Sequence, residues 1–248
     1  MTELYLDIGN SFMKMASQDS SGWKILFDGE HERLDELSEV IDSASESPEI
    51  FISSVRKDIT KRLVQSLPDS KIREFKIADI PAKMIDYKTP ETLGLDRFLV
   101  CLGAAKESRE SNVVVIDAGS ACTVDLMTNE KVYCGGVILP GLNIVRNAME
   151  KRLPELPRVT DSIPEQWPGK STMECIEWGV NGGFIFAIQG FIEKYRSMVG
   201  DVDIYVTGGD AKKLIQWMGD GEKYIHRKNL IWEGMEEFKS VLKHPKSY

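Results

Sequence analysis

Residues 4–16 read LYLDIGNSFMKMA and residues 113–127 read VVVIDAGSACTVDLM. In each, a run of β-formers ends in an aspartate, one further residue and a glycine, then turns and returns as a second apolar run. The aspartates, Asp7 and Asp117, stand 110 positions apart. A carboxylate leaving a buried strand, followed by a small-residue hairpin, suits the phosphates of a Mg²⁺-nucleotide. Glycine lets the backbone approach, neighbouring N–H groups and a hydroxyl meet phosphate oxygens, and the aspartate draws the cation. Gly9, Asn10 and Ser11 make the first turn, Gly119 and Ser120 the second. One such turn alone is common and mostly structural. Two related copies, each opening half of the chain, predict a duplicated domain with a nucleotide between the halves.

The composition fits an ordered enzyme. The 248 residues suffice for one large domain or two modest ones, and 42% hydrophobic against 28% charged residues excludes global disorder. A net charge of −8 argues against a nucleic-acid scaffold, so an anionic substrate needs local lysine and arginine. Cys101, Cys122, Cys134 and Cys175 form no CxxC pair and read as buried reduced thiols. His31, His226 and His244 are scattered through polar segments, which gives a histidine-based site little support. Met1 leads directly into the Asp7 strand, so no basic and apolar leader is expected. No apolar run is expected to reach the roughly 20 residues of a membrane helix, so the expected location is cytoplasmic, without a membrane.

The pattern along the chain alternates. After the first hairpin, WKILF, EIFISSV and IREFKI read as strands, with helices over about 32–44 and in KDITKRLVQSLP. The second half repeats the order: VVVID, CTVDLM and VYCGGVIL form a meander, and a helix follows Pro140-Gly141. A long helical region covers Thr172–Met198, then come strand DIYVT, turn Gly208-Gly209 and helix DAKKLIQWM. This order gives an α/β class with mixed sheets. The polar run KESRESN marks the division, into 1–111 and 112–248. The proline-rich LPELPRVTDSIPEQWPGKST, without periodicity, reads as a surface connection or a lid.

Between the two turns lies YKTPETLGLDRFLVCLGAAKE. Pro81, Pro90 and Gly94 fix a loop, and a helix starts near Asp96 with Phe98, Leu99 and Leu102 on its apolar face. Asp96 and Arg97 then occupy a helix N-terminus, where free N–H groups favour an anion. An aspartate there is often only an N-cap. The adjacent guanidinium adds a planar grip for a carboxylate. Lys14, seven positions after Asp7, either returns toward the phosphates or is an exposed hairpin lysine. Asp125 either supports a cation site or is structural.

The paired turns resemble the actin/sugar-kinase/Hsp70 ATPase superfamily, which implies two ribonuclease-H-like, actin-like ATPase domains with mixed sheets. The ordered set DIGNS…K, Y-x-TP-x-TLG-x-DR, DAGSA-x-T-x-D, GG-x-I-x-PG, ST and TGG, from Asp7 to Gly209, is similar to the type III pantothenate kinases, the CoaX/Baf family. That resemblance implies ATP-dependent phosphorylation of pantothenate, the first step of coenzyme A biosynthesis, by a homodimer. It implies ATP contacts from Asp7, Ile8, Gly9, Asn10, Ser11, Phe12, Met13, Lys14 and Ser120. It implies pantothenate contacts from Tyr87, Gly94, Leu95, Asp96, Arg97 and Thr172, with Asp96 as catalytic base. Asp117 would hold a monovalent cation, K⁺ or NH₄⁺, with Mg²⁺ accompanying ATP, and the Thr207–Gly209 turn would lie near the adenosine. Ser11 and Ser120 stand where the family often has threonine, keeping the hydroxyl but losing the methyl that restricts χ1. The alternatives are another small-molecule kinase or phosphatase of the superfamily, separated by the TLGLDR block, and a non-catalytic nucleotide-binding regulator.

Overall fold

The computed structural model describes residues 2–44, 48–68 and 70–243. The chain forms two compact units. One takes the residues up to Arg109, 130–134 and those from Asn229 on; the other takes 110–129 and 135–228.

The first unit carries β1 (Glu3–Ile8), β2 (Phe12–Asp19), β3 (Gly22–Glu30), α1 (Leu34–Ala44), β4 (Glu49–Ser54), α2 (Lys57–Ser66), β5 (Lys71–Glu74) and α3 (Leu95–Glu107). Its sheet has the order β3-β2-β1-β4-β5. β1 pairs antiparallel with β2 and parallel with β4, and the parallel pairs are connected through α1 and α2, as parallel pairing requires. Strand alternation sets the two faces. Leu4, Leu6 and Ile8 pack with Leu34, Leu37 and Ile41 of α1 and Ile59 and Leu63 of α2. Burying one such side chain contributes about 1.5–3 kcal/mol. Glu3, Tyr5 and Asp7 share the opposite face, where Tyr5 stacks on Phe51 with ring centres 5.3 Å apart.

The C-terminal helix α8 (Leu230–Lys243) packs against α3. Phe238 lies 5.8 Å from Phe98 and 5.3 Å from Phe75, ring centre to ring centre. The contact depends on two glycines. A Cβ on Gly234 would sit 1.9 Å from the Leu99 carbonyl oxygen, and one on Gly103 would sit 2.4 Å from that of Leu230. Lys239 reaches β1, donating to the Tyr5 hydroxyl at 2.6 Å and to Glu3.

The second unit carries β6 (Asn112–Ala118), β7 (Ala121–Met127), β8 (Tyr133–Pro140) from Gly135 on, α4 (Leu142–Arg152), α5 (Thr172–Glu177), a π-helical turn (Trp178–Gly182), α6 (Gly183–Val199), β9 (Val202–Thr207), α7 (Ala211–Met218) and β10 (Tyr224–His226). Its sheet order, β10-β9-β6-β7-β8, repeats the first with every strand in the corresponding place. β6 is antiparallel to β7 and parallel to β9, and β9 is parallel to β10. The duplicated mixed-sheet architecture expected from the paired turns is present.

Three expectations change. The segment from Asn229 on joins the first unit, whereas the sequence division placed it in the second; α8 buries Leu230, Trp232, Met235, Phe238 and Val241, and its apolar face requires α3. Only Cys101 and Cys122 are buried, while Cys134 is half-buried and Cys175 exposed, all four being free thiols. The helical stretch Thr172–Val199 holds an 18-residue window of mean hydropathy 1.2, long and apolar enough by composition alone to span a membrane where the sequence reading expects no such run, yet 44% of that window is buried within the fold.

Candidate active site

Asp7 is the penultimate residue of β1, half-buried, with Lys14 directly opposite on β2 and Ser53 beside it on β4. Gly9 N–H donates to the Phe12 carbonyl at 2.9 Å, closing a tight hairpin whose tip, Asn10 and Ser11, is exposed. Ile8 and Met13 are fully buried in the core. Any ligand contact from these two is therefore through the main chain. Phe12 is 44% exposed, and Lys14 lies 3.8 Å from Asp28. The hairpin thus presents backbone groups, one hydroxyl and one ammonium around a strand-end carboxylate, the set that a polyphosphate with its cation requires.

Behind this turn the chain places residues that sequence reasoning passed over. His31, 9% exposed, has Nε2 3.0 Å from the Gly9 carbonyl oxygen and Nδ1 3.3 Å from Nη1 of Arg56. The histidine lies outside every motif, so spacing gave no signal for it.

The second turn repeats the first in register. Asp117 is half-buried on β6, with Thr123 opposite on β7 and Thr207 beside it on β9. Residues paired across a sheet project from the same face, so a carboxylate and two hydroxyls cluster there. The Thr123 Oγ1 is buried without a hydrogen-bond partner. Gly208, with φ +93°, passes so close that a Cβ would stand 2.6 Å from Asp117 Oδ1 and 2.5 Å from the Ala118 carbonyl oxygen. The PG turn also converges here: Gly141 N–H donates to the Ser120 carbonyl at 3.1 Å. Three motifs far apart in sequence, DAGSA, PG and TGG, thus meet around Asp117. Cys122 feels the same neighbourhood, since burial first, then Asp117, Asp125 and Asp210, push its thiol up to about 12.

Asp96 and Arg97 stand in the first turn of α3, as expected. Gly94 is the N-cap residue, and it makes no side-chain cap. Asp96 is half-buried, and its Oδ1 accepts the Arg97 N–H at 2.9 Å. A Cβ on Gly94 would lie 2.5 Å from that Oδ1, so glycine is what leaves room for the carboxylate. Arg97 is 8% exposed, with its guanidinium carbon 5.9 Å from the centre of the Tyr133 ring. Tyr87 meets the same ring at 6.0 Å. Tyr133, absent from the sequence candidates, therefore ties Tyr87 to Arg97. The segment carrying Tyr87 is held by Asp86 N–H donating to the Tyr133 carbonyl at 2.9 Å.

Thr172 is the first residue of α5, exposed, and Ser171 provides the cap through the Glu174 N–H. The preceding proline-rich stretch has neither helix nor strand over 153–171. It is anchored nonetheless: Asn181 donates to the carbonyls of Thr160 and Ser162 at 2.9 and 2.7 Å, and Arg146 pairs with Asp161.

Comparison with known proteins gives a family and a fold. Residues 3–194 match the family model described as type III pantothenate kinase. A type III pantothenate kinase of Flavobacterium johnsoniae is 32% identical over 213 residues, covering 85% of this chain and 87% of the relative. One of Cytophaga hutchinsonii is 31% identical over 228 residues, covering 92% and 95%. Among solved structures, a Baf family protein of Campylobacter jejuni superposes with TM-score 0.67 at 24% identity, covering 98% of both chains. A protein of Sinorhizobium meliloti described as a 2-dehydro-3-deoxygalactonokinase superposes with TM-score 0.52 at 10% identity, covering 98% and 96%.

Proposed function

This chain belongs to the type III pantothenate kinase family, and we propose from that premise how its residues divide the work. It phosphorylates pantothenate with ATP, the first step of coenzyme A biosynthesis. Phosphoryl transfer asks the protein for positioning, for charge around the phosphates and for a group that accepts the alcohol proton. Asp96 takes that proton from the primary hydroxyl of pantothenate. The observation that carries this assignment is a half-buried carboxylate at the start of α3, given room by Gly94 and beside a buried guanidinium. Arg97 holds the pantothenate carboxylate, and Tyr87 borders the same ligand, both set by their packing on Tyr133. Leu95, 5% exposed, supplies main chain to this site, and Thr172 supplies a hydroxyl. Asp7 to Lys14 and Ser120 bind ATP, and Asp7 would hold the Mg²⁺ that accompanies it.

Asp117 is the ligand for a monovalent cation, K⁺ or NH₄⁺. The residues suit such an ion: all the donors are oxygens, the Thr123 hydroxyl is buried without a partner, and a Cβ at Gly208 would fill the space beside the carboxylate. When bound, the cation offsets negative charge next to the phosphates. We also propose a cytoplasmic homodimer formed through the second unit, where Phe186 is 54% and Met198 64% exposed on α6.

The decisive experiment is coupled detection of ADP with wild type and Asp96→Asn, with and without pantothenate. Wild type should release ADP only with pantothenate, and Asp96→Asn should retain ATP binding while kcat falls by about 10²-fold or more. An Asn variant with near-native kcat would refute the base assignment.

A further inference from the structure

His31 is buried, titratable and unused by the mechanism above. It follows β3 in a single 3-10 turn, 22 residues from Gly9, whose carbonyl oxygen lies 3.0 Å from its Nε2. Its Nδ1 lies 3.3 Å from Arg56 Nη1, and that same nitrogen lies 3.3 Å from the Asn10 carbonyl oxygen. Arg56 is held in turn by Asp58, which accepts from Nε at 3.0 Å and from Nη2 at 2.8 Å. The chain therefore runs Asp58 to Arg56 to His31 and ends on two consecutive carbonyls of the first phosphate turn.

Donor chemistry fixes the tautomer. Guanidinium only donates, so Nδ1 must accept; a carbonyl only accepts, so Nε2 must carry the hydrogen. His31 is then the neutral Nε2–H form. Peptide geometry gives the consequence. In a trans peptide the C=O and the following N–H point in opposite directions. Holding the Gly9 and Asn10 carbonyls toward His31 and Arg56 turns the N–H groups of Asn10 and Ser11 the other way, at the exposed tip of the hairpin.

We propose that His31 and Arg56 are positioning residues that lock the peptide planes 9–10 and 10–11 so that their N–H groups face the phosphates of ATP, with His31 acting as the neutral Nε2–H tautomer. This rests on the reading of the Asp7–Lys14 hairpin as the nucleotide site. Glutamine reaches about as far as Nε2 and keeps a donor for the Gly9 carbonyl, whereas phenylalanine fills the space without one.

The test combines calorimetric ATP binding, both KM values and ¹⁵N NMR of the imidazole. His31→Phe should raise the ATP Kd and KM roughly tenfold, the factor of one interaction of about 1.4 kcal/mol, and leave the pantothenate KM within about twofold. His31→Gln should recover most of the ATP affinity. The wild-type spectrum at neutral pH should show a protonated Nε2 and a bare Nδ1. An Nδ1–H tautomer, an imidazolium, or a His31→Phe variant that raises both KM values equally without rescue by Gln overturns the proposal. Ser11→Ala and Asp7→Asn test the underlying reading separately. If these leave ATP affinity intact, the hairpin is not the nucleotide site and the proposal falls with it. If they weaken ATP and His31→Phe does not, the positioning role alone falls.

Discussion

Gly234→Ala is the sharpest test of how α8 serves the site. The added Cβ would stand 1.9 Å from the Leu99 carbonyl oxygen and 2.6 Å from the Leu99 carbonyl carbon. Both are backbone atoms inside a helix, so no side chain can rotate away. A carbon-to-oxygen contact relaxes at about 3.3 Å, so α3 and α8 must separate locally by roughly 1.4 Å. Overpacking of this kind costs about 1–3 kcal/mol, and at roughly 2–4 °C per kcal/mol for chains of this size the melting temperature should fall by about 2–12 °C. The displaced helix carries Asp96 and Arg97 at its first turn. The pantothenate KM should therefore rise along with the loss of stability. Differential scanning calorimetry and steady-state kinetics on the same preparation read both effects. A variant that melts within about 1 °C of wild type with an unchanged pantothenate KM would show that the helix contact is looser than the geometry states.

Replacing K⁺ by tetramethylammonium at constant ionic strength should sharply reduce turnover, and Thr123→Val should raise the K⁺ concentration giving half the maximal thermal shift by roughly tenfold; equal K⁺ responses in Thr123→Val and wild type would exclude the hydroxyl from the site. Light scattering at micromolar concentration should find twice the 27.9 kDa chain mass, and a monomer alone would remove the dimer. Glu3 loses some hydration through burial, but hydrogen bonds from Lys239 and Tyr5 more than offset that and hold its carboxyl below the ordinary 4.5. Its contribution to stability is therefore complete above pH 4.5 and is lost as pH falls through the lower folded value. Urea midpoints should show wild type losing more stability than Glu3→Gln between about pH 5 and pH 3, and parallel curves would contradict the ion pair.

The sequence by itself determined the duplicated α/β architecture, because alternation, hairpin chemistry and helix periodicity are local and were written twice. It also marked Asp7, Asp96, Arg97 and Asp117, since each sits where a strand exit or helix start makes a charged group useful. The sequence division places the C-terminal segment with the second half, although it belongs with the first unit and Leu230, Met235, Phe238 and Val241 carry a helical spacing. Periodicity says that a face is buried and is silent about the partner that buries it. Only the close approach at Gly103 and Gly234 settled that partner as α3. Thr123 and Thr207 became neighbours of Asp117 through strand register, which depends on pairing across the sheet. Tyr133 gained its place between Tyr87 and Arg97 the same way, by a contact across distant segments. His31 reads in the sequence as a polar-segment histidine because its two partners, the Gly9 carbonyl and Arg56, lie 22 and 25 positions away. Hydrogen bonds of that span leave no periodic trace in a sequence, and they exist only once the sheet has brought β3 and β4 to the same end of β1.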